Sequence, residues 1–209
     1  MRKEGIYLIN QIKTKLKILI EENLKGYILL SVVFIAGAAL ASLQNFQTTE
    51  EEIRLYLKDF MQNVISSGTN LSGTFNVSYI GYVKIFALML LASLTVIGAP
   101  VVLIYTLFEG FSFGTVISCL LKTYGVKGVL IFLCSMLPHL IFAVPVCLGY
   151  SAYAMKHSVK LITHKNDLRS NILNPILMCV LFLCIISIAA LVQGYIEPIL
   201  IKLIAPQFV

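Results

Sequence analysis

The chain has 209 residues, of which 58% are hydrophobic and only 12% charged, with a formal net charge of +6 and a mean hydropathy of +0.90. A soluble domain carries about a quarter charged residues, so this composition excludes one and leaves a polytopic membrane protein. The 16 basic residues are spread along the chain, mostly at the ends of apolar runs. That placement suits topology-setting charges and argues against a nucleic-acid surface.

Crossing the hydrocarbon takes about 20 apolar residues, and the length allows five or six such segments. No cleavable signal peptide is expected, because the first apolar run lacks a small-residue cleavage pattern. Residues 1–25 read as a cytoplasmic amphipathic helix: Ile9, Ile12, Leu16, Leu19 and Ile20 follow three-four spacing, with Lys13 and Lys17 among the polar positions. Two placements suit it equally, in the headgroup layer of an anionic leaflet or as a cap on the bundle. The first span is expected over 26–46. Its GAALAS stretch sets Gly37, Ala38, Ala41 and Ser42 at spacings that let two helix backbones approach.

Residues 47–84 form the one sizeable hydrophilic segment, expected outside the bilayer. Thr49 and Glu52 make a capping-box signature, and Ile53, Leu57, Phe60, Met61 and Val64 then share one helical face. The second span is expected over 85–108, ending at Glu109-Gly110. A short third run, 111–121, follows as a tilted helix or re-entrant hairpin. GFSFG (110–114), read with IGAP (97–100), marks a tight hairpin there, built on Pro100, Gly110 and Gly114. The fourth span is expected over 128–155, the fifth over 172–195, and residues 196–209 form an interfacial tail. The resulting fold is all-α, a bundle of about five transmembrane helices with one kinked, proline-containing span.

With the N-terminus cytoplasmic and five spans, ten basic residues fall on inside segments and six outside. This bias places the 47–84 segment and the C-terminus outside. The five cysteines, Cys119, Cys134, Cys147, Cys179 and Cys184, all lie within apolar runs and read as small packing residues. No disulfide framework is expected.

The inventory for chemistry inside the membrane is small. Glu109 and His139 are the main ionisable candidates, with hydroxyls at Ser93, Thr95, Ser112, Thr115 and Ser135. There is no HExxH, no paired Glu-Glu and no GxSxG, and His157 and His164 fall in a basic segment, leaving His139 without a companion. Catalysis, a metal site and a bound cofactor are therefore not expected. Glu109 is expected at the cytoplasmic surface. In SMLPHLIFAVP (135–145), Pro138 removes the amide that would bond the Cys134 carbonyl. His139 is expected near mid-span, re-satisfying that freed backbone, with Pro145 adding a second bend. This structural role is preferred to a proton relay.

The ordered series IGAP, LFEGFSFG, YGVKG, LPHLIFAVP and GYIEP resembles the stage II sporulation protein M family over nearly the whole chain. The resemblance singles out Pro100, Gly110, Gly114, Pro138, His139, Pro145, Glu197 and Pro198 as packing or partner-contact positions. Two positions depart from the family pattern, Glu109 where a basic residue is frequent and Leu140 where a polar one is. The resemblance implies a non-enzymatic membrane scaffold at the sporulation septum and engulfing membrane of an endospore-former. It would hold two cell-wall hydrolases, stage II sporulation proteins D and P, at the moving membrane edge. Membrane lipid is the other expected partner, and the small-residue faces suggest a homodimer. The alternative class is a permease-like subunit of a transporter, which would need a polar interior at mid-membrane.

Overall fold

The computed structural model describes residues 2–43, 71–163 and 168–204, together with the single positions 55 and 59, and every regular element in it is helical. The helices are α1 (Arg2–Leu43), α2 (Leu71–Ser93), α3 (Gly98–Tyr124), α4 (Val126–Ser135), α5 (Leu137–Thr163) and α6 (Leu168–Leu191). A π-helical turn (Val192–Ile196) then leads into α7 (Glu197–Ile204). Five stretches are long and apolar enough to cross a membrane: Asn23–Leu43, Ser72–Ser93, Gly98–Tyr124, Leu137–Leu161 and Ile172–Leu203. The expected all-α bundle of about five spans is what forms. Apart from Leu55 and Asp59, the expected helix after Thr49 lies outside the described residues, as does the end of the C-terminal tail.

Two span boundaries differ from expectation. The apolar run from 85 to 121 does not turn at Glu109-Gly110; it turns at 94–97, between α2 and α3. The hydroxyls of Ser93 and Thr95 donate to the carbonyls of Leu90 (2.7 Å) and Ala92 (3.0 Å), competing with the helix ladder there. Pro100 lies in the first turn of α3, where its missing N–H costs nothing. The expected hairpin at GFSFG is thus corrected: Gly110 and Gly114 lie inside a continuous 27-residue helix. Residues 71–84, polar enough to read as loop, are instead the first half of α2. They find a partner in the π turn, where Gly194 lets the chain come close to Phe75, and Phe75 and Tyr195 sit with ring centroids 6.0 Å apart.

The N-terminal segment and the first span are one 42-residue helix. α1 and α3 run parallel and nearly touch. A Cβ on Gly37 would strike the Leu107 carbonyl, one on Gly110 the Phe34 carbonyl, and one on Gly114 the Ala38 carbonyl. The GAALAS and GFSFG motifs therefore serve one contact within the chain. They do not face outward, so the homodimer expectation loses the surface on which it was based.

The fourth crossing is broken. Gly125, at φ 58°, reverses the chain after α3, a conformation that suits glycine. α4 then runs back along α3, with Gly128 against the Leu120 backbone and Phe132 beside Phe113 at 5.6 Å. At Met136 the helix breaks, and α5 continues in the same general direction. α6, the π turn and α7 make the fifth crossing. α7 is not a tail resting at the interface, because Ile201 is buried with Leu120 and Ile131. The main core lies between α2, α5 and α6, where Tyr150 packs on Phe86 (5.0 Å) and Phe182 (5.5 Å).

Candidate functional site

α5 opens with Leu137, Pro138 and His139, so the His139 amide is one of the first-turn donors that a helix leaves without a partner of its own. Glu197 supplies one. The His139 N–H donates to Glu197 Oε1 (3.0 Å), and the His139 ring Nδ1 lies 2.6 Å from the same oxygen. With a carboxylate as acceptor, Nδ1 carries the proton. Both residues are buried, at 7% and 4% exposure, so the contact is shielded from water. A carboxylate at a helix N-terminus also meets the positive end of the helix dipole.

The local sequence explains how Glu197 comes to be there. Pro198 has no N–H to return to the carbonyl four residues back, at Gly194. The helix widens ahead of it, and the Glu197 N–H bonds the carbonyl five back, at Val192. Gly194, with its backbone against Phe75, and Pro198 are both buried. The π turn thus sets Glu197 beside the start of α5.

Two expectations for His139 are corrected here. It has a companion, Glu197, 58 positions away in sequence. It also does not tie down the Cys134 carbonyl. The break at Met136 places Pro138 in the first turn of a new helix, where no amide is missing from a ladder. Pro145, by contrast, is inside α5, with its ring on the exposed side.

At the opposite end of the bundle a second polar tie closes the turn between α2 and α3. His157 Nδ1 lies 2.9 Å from the Ser93 carbonyl, Ser158 Oγ donates to the Thr95 carbonyl (2.7 Å), and the Ala99 N–H donates to Ser158 Oγ (3.1 Å). Sequence reasoning placed His157 in a basic loop and missed this tie. Ser158→Ala is expected to lower stability by about 1 kcal/mol, since it takes the side-chain partner from the Thr95 carbonyl and the Ala99 N–H at once. Thermal unfolding in detergent checks this; an unchanged midpoint would mean that the turn is held without it.

Glu109 does not sit at a surface hairpin. It lies near the middle of α3, within electrostatic range of Tyr82 on α2, Tyr105 on its own helix and Cys147 on α5. Tyr82 also feels Glu197. The spans therefore carry two carboxyl groups, the buried Glu197 held by His139 and the half-buried Glu109 on α3. Among the described residues no three His, Cys, Asp or Glu side chains gather closely enough to hold a metal ion.

The singled-out positions thus fall into two groups and two separate sites. Gly37, Gly110 and Gly114 form the α1–α3 contact; Pro138, His139, Glu197 and Pro198 form the buried pair and its supports. Pro100 and Pro145 stand apart.

These features define a multi-pass membrane protein whose polar interior residues mainly fasten helices to one another. A family model described as Stage II sporulation protein M matches residues 25–198, and the chain belongs to that family. The match reaches into all five crossings and closes on Glu197 and Pro198. No curated protein and no solved structure matches the chain.

Proposed function

We propose that this sporulation-family membrane protein is a non-enzymatic scaffold, which anchors and localises cell-wall hydrolases at the engulfing septal membrane during endospore formation. The observation that carries this reading is the family match over residues 25–198, which reaches into all five crossings. The physical chemistry agrees with it: the buried histidines engage in helix-to-helix ties, and the core is filled by packed aromatic rings. In this reading the N-terminus is cytoplasmic, and the connector between α1 and α2 faces outward with the C-terminus. Stage II sporulation proteins D and P are the hydrolases that it would hold, and that connector is the surface offered to them.

Deleting the gene in its host and following the membranes with dye during sporulation tests the role. Arrest after septation, rescued by the wild-type copy, is the expected result; normal engulfment would remove the sporulation role. A cysteine placed at Gln62 is expected to react with an impermeant thiol reagent added outside. Protection there, with labelling at position 165, would invert the orientation.

A permease-like subunit is the second reading, and Glu109 is what favours it. A half-buried carboxyl near the middle of a membrane helix is the sort of group that a transport path uses.

A further inference from the structure

α2 carries a charge where a membrane helix should not. At ~1.5 Å per residue, Lys84 lies about 13 Å from the Ser93 end of its span and about 18 Å from the Ser72 end, too far for its side chain to reach either boundary. It is exposed, and so are the apolar residues on the same face on both sides of it: Val77 (74%) and Ile80 (52%) toward one end, Leu88 (44%) and Leu91 (66%) toward the other. Hydrocarbon thus flanks the ammonium above and below. Lys84 makes no hydrogen bond or ion pair among the described residues. Two turns away on the same stripe, Asn76 is likewise exposed. Between them a Cβ on Gly81 would meet nothing within 4 Å, so another helix has room to come close.

A lone lysine facing lipid at this depth is costly, and a carboxylate from another helix is what removes the cost. This chain has little to offer a second copy of itself. Within its spans the acidic residues are Glu109 and Glu197, of which Glu197 is buried against His139, while Glu109 is half-buried and sits beside Gly110 at the α1–α3 contact. Two copies meeting α2 to α2 would also bring like charges together. We propose that the outward face of α2 around Lys84 and Gly81 docks a transmembrane helix of a different protein, one that carries an aspartate or glutamate at mid-membrane. The inference goes beyond the scaffold reading and holds whether or not the partner is a hydrolase.

The test uses the full-length protein, donor-labelled and reconstituted in phosphatidylcholine vesicles. The probe is an acceptor-labelled leucine-alanine transmembrane peptide with one central glutamate, compared with the same peptide carrying leucine. Energy transfer is expected to report about fivefold tighter association of the glutamate peptide, the size of a good interhelical polar contact. Lys84→Leu should erase that preference and Lys84→Arg should keep it. Because the side chain faces outward, Lys84→Leu is expected to leave the thermal midpoint unchanged, so a lost preference cannot be laid to unfolding. Equal association of the two peptides with the wild-type protein would overturn the proposal. So would energy transfer between two labelled copies of the protein that Lys84→Leu abolishes, because the occupant would then be a second copy.

Discussion

Gly110→Val is expected to be among the most destabilising single substitutions in the chain, costing at least about 3 kcal/mol. The reason is the identity of the atom that it meets. A Cβ at position 110 runs into the Phe34 carbonyl, and the flanking glycines, 37 and 114, meet backbone of the other helix in the same way. A flexible side chain could swing aside; a helix backbone cannot, so α1 as a whole must move away from α3. Losing that contact opens the tightest packing in the bundle, where dispersion rather than hydrophobic transfer holds helices together in lipid. A native membrane domain has about 5–15 kcal/mol in hand by analogy with soluble ones, so the steady-state amount of protein should fall several-fold. Gly81→Val, on α2, is the matched control: a Cβ there meets nothing, and stability should be unchanged. Thermal unfolding in mild detergent, alongside membrane abundance, reads both. Equal midpoints for wild type and Gly110→Val would show that α1 and α3 are not in backbone contact.

The second large effect is expected at the buried pair. Glu197→Ala removes one oxygen that accepts two hydrogen bonds, from the His139 amide and the His139 ring. Both donors stay buried without a replacement, and breaking such a pair from one side costs about 3–5 kcal/mol. His139→Gln should cost less, on the order of 1 kcal/mol, because the backbone bond survives and the amide group of glutamine can still donate to the carboxylate. The double variant is expected to be less than the sum of the two, by about 1 kcal/mol or more, since each single change damages the same contact. A double-mutant cycle on detergent unfolding measures this. Full additivity would mean that the two side chains do not interact. The same series separates structure from chemistry in cells: if the pair is a fastener, activity should follow abundance, and His139→Gln should be nearly normal in both.

How much of this was legible in the sequence depended on whether the signal was local. The all-α class and the number of crossings follow from apolar runs of the right length. The small-residue motifs could be seen, yet a motif that permits close approach does not say which helix approaches. GAALAS read as a face for close helix approach and GFSFG as a hairpin until the parallel packing of α1 on α3 joined them. The turn after α2 was masked because hydropathy stays high from 85 to 108. What breaks the helix is hydroxyl competition at Ser93 and Thr95, with Pro100 fixing the restart, and neither lowers the hydropathy. Lys84 and the polar residues before it pushed the expected start of the second span too far along the chain. Those residues are already helical in α2, with the π turn packed against Phe75.

The pair was half legible. His139 and Glu197 were both singled out, one by its prolines and one by the late Glu-Pro, but nothing links two residues 58 positions apart until the chain folds. Pro138 was read as damage to a helix in need of repair. In the fold it begins a helix, and the repair is for the first-turn amide of His139, made by an acid from the far end of the chain. His157 and Ser158 gave no signal at all, because a histidine-serine pair among lysines looks like any exposed helix end.

The scaffold and permease readings part at Glu109. If the bundle is an anchor, this carboxyl is a packing residue, and Glu109→Gln should be a stable, abundant protein with its role intact. If it lines a path, the same change should silence a folded protein. The most direct single measurement is the position of fluorescent stage II sporulation protein P during engulfment, in the deletion strain carrying no copy, the wild-type gene or Glu109→Gln. The scaffold account predicts hydrolase dispersed around the mother-cell membrane without the gene and gathered at the engulfing edge with either copy. Hydrolase that gathers at the edge without the gene would contradict it.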